Sequence, residues 1–402
     1  MRTPGTVPGG VTAPRAFRAA GVASGIKKSG LDVAVVVSDV EATAAAVFTT
    51  NRVVAAPVIV SREHLTASDG VARAVVVNSG CANACTGPGG FEVARHMAAE
   101  AARILECDPA HVLVASTGVI GVSLDAGLVG RGIEAALSAA SPDGHQDAAM
   151  AIMTTDPWAK ERAVQATLDG RPFVVGGMAK GSGMIEPRLA TMLGFLTTDA
   201  AVPAPLLARA LAEASDDTFN AITVDGEPST NDSVFLLANG ASGVSIDEAG
   251  YAAFVEALRS VSRELALEIV RGGEGATKLV EVTVTGARTR GDARLAARAI
   301  ATSLLVKTAV HGGDPNWGRV LAAAGRSGAD LVLDRASVRI GDVVLFDAGA
   351  PFDERAGQAA EHLSGARITL TLDLGTGGPA SATMFTCDLS ADYVRINAEY
   401  RT

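Results

Sequence analysis

The chain has 402 residues, 48% hydrophobic and only 19% charged, with 44 Asp+Glu against 34 Lys+Arg and a net charge of −10. This is the composition of a folded chain with ample core, long enough for two or three domains at ~150 residues each, and it excludes a disordered one. The acidic balance sets aside nucleic acid and anionic membrane as main partners, since both need a positive field and no basic run exceeds Lys27-Lys28.

Along the chain, the first 28 residues are basic without an acid, a faint likeness to a transit peptide, but they lack an apolar signal core. No apolar stretch approaches the ~20 residues of a bilayer span, and a cytoplasmic protein is expected. Short, nearly continuous apolar and mostly β-branched runs predict strands at 33–37, 45–49, 58–61, 74–78, 112–115, 173–176 and 234–238, as in a sheet covered on both faces. Helices are predicted at 91–105, with Met97, Ala101, Ile104 and Leu105 on one stripe, and at 206–214 after Pro203 and Pro205. The clearest helix is 248–270, where Phe254, Leu258, Val261 and Leu265 recur at helical spacing. Past residue 280 the texture changes. Val280, Val282 and Val284 alternate with Glu281, Thr283 and Thr285, the pattern of a half-exposed strand. A helix is predicted from an Asp292 cap to about Leu305, a hairpin over 338–346 turning at Gly341-Asp342, and a strand over 368–373 with Leu370 and Leu372 inward. This reads as a smaller second α/β unit beyond the loop Arg271-Gly272-Gly273-Glu274, so the division is drawn as 1–278 and 279–402.

Several chemistries lack their residues. Four cysteines (Cys81, Cys85, Cys107 and Cys387) make no disulfide framework, and Cys81 and Cys85 have no histidine nearby to complete a zinc site. They are expected to pack. Gly177-Met-Ala-Lys-Gly-Ser-Gly183 imitates a phosphate cradle but has Lys-Gly-Ser where a P-loop has Gly-Lys-Ser/Thr, and no Gly-x-Gly-x-x-Gly fingerprint joins a strand to a helix. The six histidines include no zinc-ligand pair, and no Gly-x-Ser-x-Gly elbow is present. A nucleophilic enzyme built on this chain would take its base from something other than histidine.

One segment offers such a base. Gly181-Ser-Gly-Met-Ile-Glu-Pro-Arg-Leu-Ala190 is a Gly/Pro loop running into Thr191 and the apolar Met192-Leu-Gly-Phe-Leu196. If the Ala190–Thr191 bond breaks, Thr191 carries both a hydroxyl nucleophile and an α-amine, whose ordinary pKa of about 7.7–8.0 suits general-base work at neutral pH. Its own hydroxyl can attack the Ala190 carbonyl, since proximity favours the intramolecular step and Ala190 leaves that carbonyl accessible. The same residues also fit an ordinary loop-to-strand junction whose threonine merely packs.

Nine stretches in order tip that balance. They are Gly10-Val-Thr-Ala-Pro-Arg-Ala-Phe-Arg18, Asn78-Ser-Gly-Cys-Ala-Asn-Ala-Cys-Thr-Gly87, Ser116-Thr-Gly-Val-Ile-Gly121, Met153-Thr-Thr-Asp156 and Gly177-Met-Ala-Lys-Gly-Ser-Gly-Met184. Leu189-Ala-Thr-Met192, Ser229-Thr-Asn-Asp232, Glu274-Gly-Ala-Thr-Lys278 and Asp314-Pro-Asn-Trp-Gly-Arg319 follow. Together they resemble the ornithine acetyltransferase family of arginine biosynthesis (glutamate N-acetyltransferase), from residue 10 onward, so no removable leader is expected.

The resemblance implies an α/β (α+β) fold similar to N-terminal-nucleophile hydrolases, an αββα sandwich of two sheets between helical layers, with a smaller C-terminal α/β domain. It implies acetyl transfer from N2-acetyl-L-ornithine to L-glutamate by a ping-pong mechanism through acetyl-Thr191. Ala190 and Thr191 would flank the cleavage point, and Thr117 and Gly118 would form the oxyanion hole on a turn after a strand ending at Ala115. Thr154, Lys180, Thr191, Glu274, Asn397 and Thr402 would bind substrate. Lys180 suits an α-carboxylate and Glu274 the side-chain ammonium of ornithine; the terminal Thr402 would have to be tied down. The 229–232 and 314–319 motifs are read as structural turns. No metal or bound cofactor is implied, with acetyl-coenzyme A left open as a second donor; cleaved α and β chains would pair as an α2β2 heterotetramer. The rivals are an aminopeptidase or amidase of similar fold, a secondary-metabolite acetyltransferase relative, and a non-catalytic amino-acid-binding protein.

Overall fold

A computed structural model describes residues 4–186 and 192–399. The described residues divide into two compact units, one made of 4–186, 192–220 and 227–269, the other of 221–226 and 270–399. Among the described residues no helix is long and apolar enough to cross a membrane.

The first unit is built on nine strands: β1 (Gly5–Thr6), β2 (Phe17–Val22), β3 (Val33–Phe48), β4 (Val71–Cys81), β5 (Val112–Val119), β6 (Lys160–Leu168), β7 (Arg171–Lys180), β8 (Leu193–Thr198) and β9 (Ser233–Ala238). Their order is β1-β6-β7-β8-β9-β3-β4-β5, with β2 also on β3. The stretches 33–37 and 45–49, predicted as separate strands, are one 16-residue strand. Its first half pairs with β2 and β4 and its second half, from Thr43 to Phe48, with β9, the register on β4 shifting between Val37 and Ala42. The two layers of the sandwich are thus hydrogen-bonded into one sheet folded over through β3.

Alternation along the strands sorts the side chains. Val36, Val75, Val77 and Leu113 from one end of the sheet share a buried core with Met178, Leu193, Phe195 and Phe235 from the other. Phe195 and Phe235 stack with centroids 5.9 Å apart. The opposite residues of the first layer, among them Val33, Val35, Val76 and Val114, pack against α2 (Gly87–Leu105) and α3 (Ala126–Ala139) through Met97, Ala101, Val129 and Ile133. On the other layer, Phe173 of β7 meets Phe254 of α6 (Tyr251–Arg271), with ring centroids 6.2 Å apart. Helix–sheet–sheet–helix layering is the expected αββα arrangement.

One expected strand is a helix. Residues 58–61 lie in a helix, α1 (Ala56–Ala67), not a strand. Pro57 in its first turn is pre-set for a helix start, and Ser61 Oγ bonds both Val114 O and Val114 N at 2.7 Å, so the buried hydroxyl is satisfied. An apolar run of four residues does not distinguish a buried helix turn from a strand. Two further helices, α4 (His145–Ala151) and α5 (Ala204–Asp217), complete the unit.

The second unit carries a six-stranded sheet, β13-β12-β11-β14-β10-β15. Its strands are β10 (Leu279–Ala287), β11 (Ser337–Ile340), β12 (Val343–Asp347), β13 (Ala350–Pro351), β14 (Arg367–Asp373) and β15 (Ala380–Cys387). Val280, Val282, Val284, Leu370 and Leu372 all face the core, as their alternation predicts. The predicted helix 292–305 is two helices, α7 (Arg290–Ala301) and α8 (Leu304–Gly312). Thr289 caps the first by accepting from Asp292 N, and Ser303 caps the second, so Asp292 sits in the first turn instead of at the cap. Helices α9 (Trp317–Gly325), α10 (Ala356–Leu363) and α11 (Ala391–Glu399) follow.

Candidate active site

Three of the named residues meet at one point. Lys180, the last residue of β7, sends its Nζ to Thr154 Oγ1 at 2.7 Å and to Thr117 Oγ1 at 3.3 Å. A buried carboxylate organises this. Asp156 Oδ1 accepts from Lys160 Nζ at 2.6 Å and from Gly181 N at 2.7 Å; Oδ2 accepts from Thr154 N at 3.1 Å and lies 3.8 Å from Lys180 Nζ. Burial alone would raise the Asp156 pKa, but the Lys180 and Lys160 ammoniums and the Gly181 N–H outweigh it and hold the carboxyl at about 2. One carboxylate between two buried lysines leaves a positive excess beside Thr117, suited to an anionic substrate group. Lys27 adds to it: its Nζ donates to Met153 O at 3.2 Å, and its pKa is lowered by burial and by Lys180 against the pull of Asp32 and Asp156.

The Thr117–Gly118 segment is shaped differently from the predicted turn after Ala115. Strand β5 runs on to Val119, and Cys81 of β4 pairs with both Thr117 and Val119, a bulge centred on Gly118. Gly118 has φ +130°, and a Cβ there would lie 2.4 Å from the Gly80 carbonyl carbon. Only glycine fits. Bulges of this kind re-aim backbone groups at strand edges.

Buried amides fix the segment from below. Ser116 Oγ donates to Asn78 Oδ1 at 2.6 Å, and Asn78 Nδ2 to Cys81 O at 2.9 Å. Asn231 Nδ2 reaches Ala82 O at 2.6 Å and Ser116 O at 2.8 Å. The 229–232 motif does form a local turn, Asn231 N donating to Ser229 Oγ at 3.0 Å, but its side chains also tie β9 to the bulge. The 314–319 motif is structural: Asn316 caps α9 by accepting from Arg319 N.

Within the second unit, Asn397 Nδ2 of α11 donates to the buried Glu274 Oε2 at 2.7 Å. Gly275, with φ +70°, lets α11 start against this loop: a Cβ would lie 2.5 Å from Tyr393 N. Ala190, Thr191 and Thr402 lie outside the described residues. Among the described residues no cluster of His, Cys, Asp and Glu could hold a metal ion. Cys81 is buried, with Sγ on Val122 O at 3.2 Å, and burial pushes its thiol pKa up; Cys85 is exposed.

Lys27, Asp156, Lys160 and Asn231 were not marked as site residues by sequence. Asp156 and Asn231 stood inside matched motifs, which was the available signal.

The ArgJ family profile matches residues 18–402. The arginine biosynthesis bifunctional protein ArgJ of Symbiobacterium thermophilum is 52% identical, over 98% of this chain and 99% of its own. The protein of the same name from Caldanaerobacter subterraneus subsp. tengcongensis is 47% identical, over 98% and 99%. A solved chain of ArgJ from Bacillus halodurans, at 40% identity and TM-score 0.50, is covered completely by 52% of the present chain.

Proposed function

This chain belongs to the ArgJ family, the acetyltransferases of arginine biosynthesis, and we propose how its residues carry the acetyl group. It is an ornithine acetyltransferase. Self-cleavage between Ala190 and Thr191 frees the Thr191 α-amine. Thr191 Oγ then attacks the acetyl carbon of N2-acetyl-L-ornithine while the amine takes the hydroxyl proton and passes it to the departing ornithine nitrogen. The acetyl ester left on Thr191 is removed by the amino group of L-glutamate. Thr117 and the backbone N–H at the Gly118 bulge bind the tetrahedral oxyanion in both halves, where loss of one donor typically costs ~10²–10³ in turnover. Lys180 pairs with the α-carboxylate beside Thr154, and Glu274 with Asn397 takes the ornithine ammonium, Thr402 contributing as well.

The observation that carries this reading is the convergence of Lys180, Thr154 and Thr117 next to a glycine bulge that no side chain could occupy. Cleavage gains support from the Bacillus halodurans chain, which 52% of this one covers in full; residues 191–402 are 212 of the 402. The processed chains are proposed to pair as an α2β2 tetramer in the cytoplasm.

Denaturing mass analysis tests the proposal. The wild type should give fragments 1–190 and 191–402, and Thr191→Ala should stay whole and transfer nothing. An uncut wild-type chain that still moves acetyl would end it. Assaying glutamate acetylation with acetylornithine and with acetyl-coenzyme A side by side decides whether this chain has one donor or two.

A further inference from the structure

Close to Lys180 stands a second cation to which acetyl transfer, as read above, gives no role. Lys27 lies in the loop between β2 and β3. The wholly buried Asp32 fixes this loop through backbone N–H groups: Ser24 N donates to Oδ1 at 2.6 Å, and Gly25 N and Lys27 N donate to Oδ2 at 3.1 and 3.0 Å. The carboxylate therefore holds the Lys27 backbone and not its ammonium. Asp32 O accepts from Ser79 N at 2.8 Å, which docks the loop on the end of β4. From there the Lys27 stem crosses Gly80, where a Cβ would lie 2.7 Å from Lys27 Cγ. Gly80 is also the residue whose backbone closes on Gly118. The ammonium ends on Met153 O at 3.2 Å, one residue from Thr154, whose hydroxyl receives Lys180.

The lysines of this region are matched differently. Lys160 is buried and bound to Asp156 Oδ1 and the Trp158 carbonyl. Lys180 reaches the Thr154 and Thr117 hydroxyls, with Asp156 Oδ2 at 3.8 Å. Lys27 is half-buried, and among the described residues its ammonium has one carbonyl partner and no ion pair. Burial lowers its pKa and the Lys180 charge lowers it further, against the attraction of Asp32 and Asp156. A half-desolvated ammonium crowded by another gains from an incoming anion.

Two ammoniums anchored on adjacent residues suit a short dicarboxylate. Consecutive α-carbons lie ~3.8 Å apart, and three carbons separate the two carboxylates of glutamate. The two substrates differ in just this respect. N2-acetyl-L-ornithine brings one carboxylate and a side-chain ammonium, which a lysine repels. L-glutamate brings a second carboxylate instead. One lysine serves the group both substrates share; the other has a counterpart only in the acceptor.

We propose that Lys27 selects the acceptor: its ammonium takes the side-chain carboxylate of L-glutamate while Lys180 holds the α-carboxylate that both substrates carry. This rests on the reading of the chain as a transferase from acetylornithine to glutamate. Asp32, by binding backbone, aims the lysine without forming an ion pair with its ammonium. An acceptor of the same length with a neutral side chain, such as L-glutamine, leaves that ammonium unmatched and is rejected.

The test measures initial rates with acetylornithine and acceptor both varied, for wild type, Lys27→Met and Lys27→Arg, with thermal melts alongside. L-glutamate and L-glutamine are compared as acceptors. In a ping-pong reaction each substrate's kcat/KM reports its own half-reaction. For Lys27→Met, kcat/KM for glutamate should fall at least ~10-fold while that for acetylornithine stays within about threefold. The preference for glutamate over glutamine should fall by the same factor, and Lys27→Arg should restore most of it. A Lys27→Met enzyme that keeps the wild-type preference, or that loses both kcat/KM values alike, would overturn the assignment. A wild type that frees no ornithine from acetylornithine would instead overturn the underlying reading. If Lys27→Met melts early, Lys27→Gln takes its place, since its amide can still donate to Met153 O. A folded Lys27→Gln that loses the preference for glutamate supports the assignment, and one that keeps it refutes it.

Discussion

Asp156 shows how a single buried carboxylate can set the charge of a site. Its side chain is wholly buried between Lys160 and Lys180, with its four polar contacts all made at 3.8 Å or less. Removing the charge in Asp156→Asn strands two buried ammoniums, a change that typically costs ~3–5 kcal/mol. A comparable loss should show as a lower melting temperature. The pH dependence has a definite sign. The folded pKa, about 2, lies below the ordinary 3.8, so this contribution is full above about pH 4 and disappears as pH falls through 2. Urea titrations should therefore find wild type losing more stability than Asp156→Asn on acidification across that window; equal losses would remove the pair from the account. Sequence made Lys180 and Thr154 visible as motif members, but it gave Lys160 no mark. Asp156 and Lys160 are four apart, which suggests a helical pair, yet they meet at the entry to β6 because the chain turns there.

At the scale of elements, the distinction is between regular pattern and local exception. The alternating strands β10 and β14 and the stripe of α2 follow from periodicity alone, because each buries one face. The exceptions were set by partners distant in sequence. α1 is helical because Pro57 starts it and Val114 receives Ser61; β5 bulges because Gly118 lies on Gly80. That bulge makes a sharp prediction. Gly118→Ala forces a Cβ to 2.4 Å from the Gly80 backbone at φ +130°, so the ladder must shift. Turnover should fall by two orders of magnitude or more, with KM changing far less, since an oxyanion contact is made in the transition state. A variant with wild-type kcat would dissociate Gly118 from the oxyanion. In the second unit, Gly275→Ala collides with Tyr393 N and pushes the start of α11 away, withdrawing Asn397 from Glu274. KM for acetylornithine should rise about tenfold or more while Thr191-dependent self-cleavage proceeds normally. An unchanged KM would take the Glu274–Asn397 pair out of ornithine recognition.

For the molecule as a whole, the αββα architecture followed from resemblance more than from pattern, because apolar runs say which residues are covered and not which strands are neighbours. The sheet order carries a consequence for the cleavage proposed between Ala190 and Thr191. Strands β8 and β9 belong to 191–402, yet β8 pairs with β7 over 175–180 and β9 pairs with β3 over 43–48, both from 1–190. The second fragment is therefore inserted into the middle of the first fragment's sheet, with β8 and β9 joined in parallel between foreign neighbours. Phe195 and Phe235 from that insertion fill the core shared with Val36, Val75 and Met178 of the other fragment. Breaking one peptide bond releases none of these ladders or contacts. The two fragments should then elute as one species in native size exclusion and separate only when denaturant melts the sheet. Recovery should also differ: denatured and diluted together, the fragments must re-pair between chains, so refolding yield should depend on protein concentration, whereas the uncut Thr191→Ala chain should refold independently of it. Separation of the fragments without denaturant would contradict the interleaved sheet, and concentration-independent recovery of the cut protein would show that one fragment folds without the other.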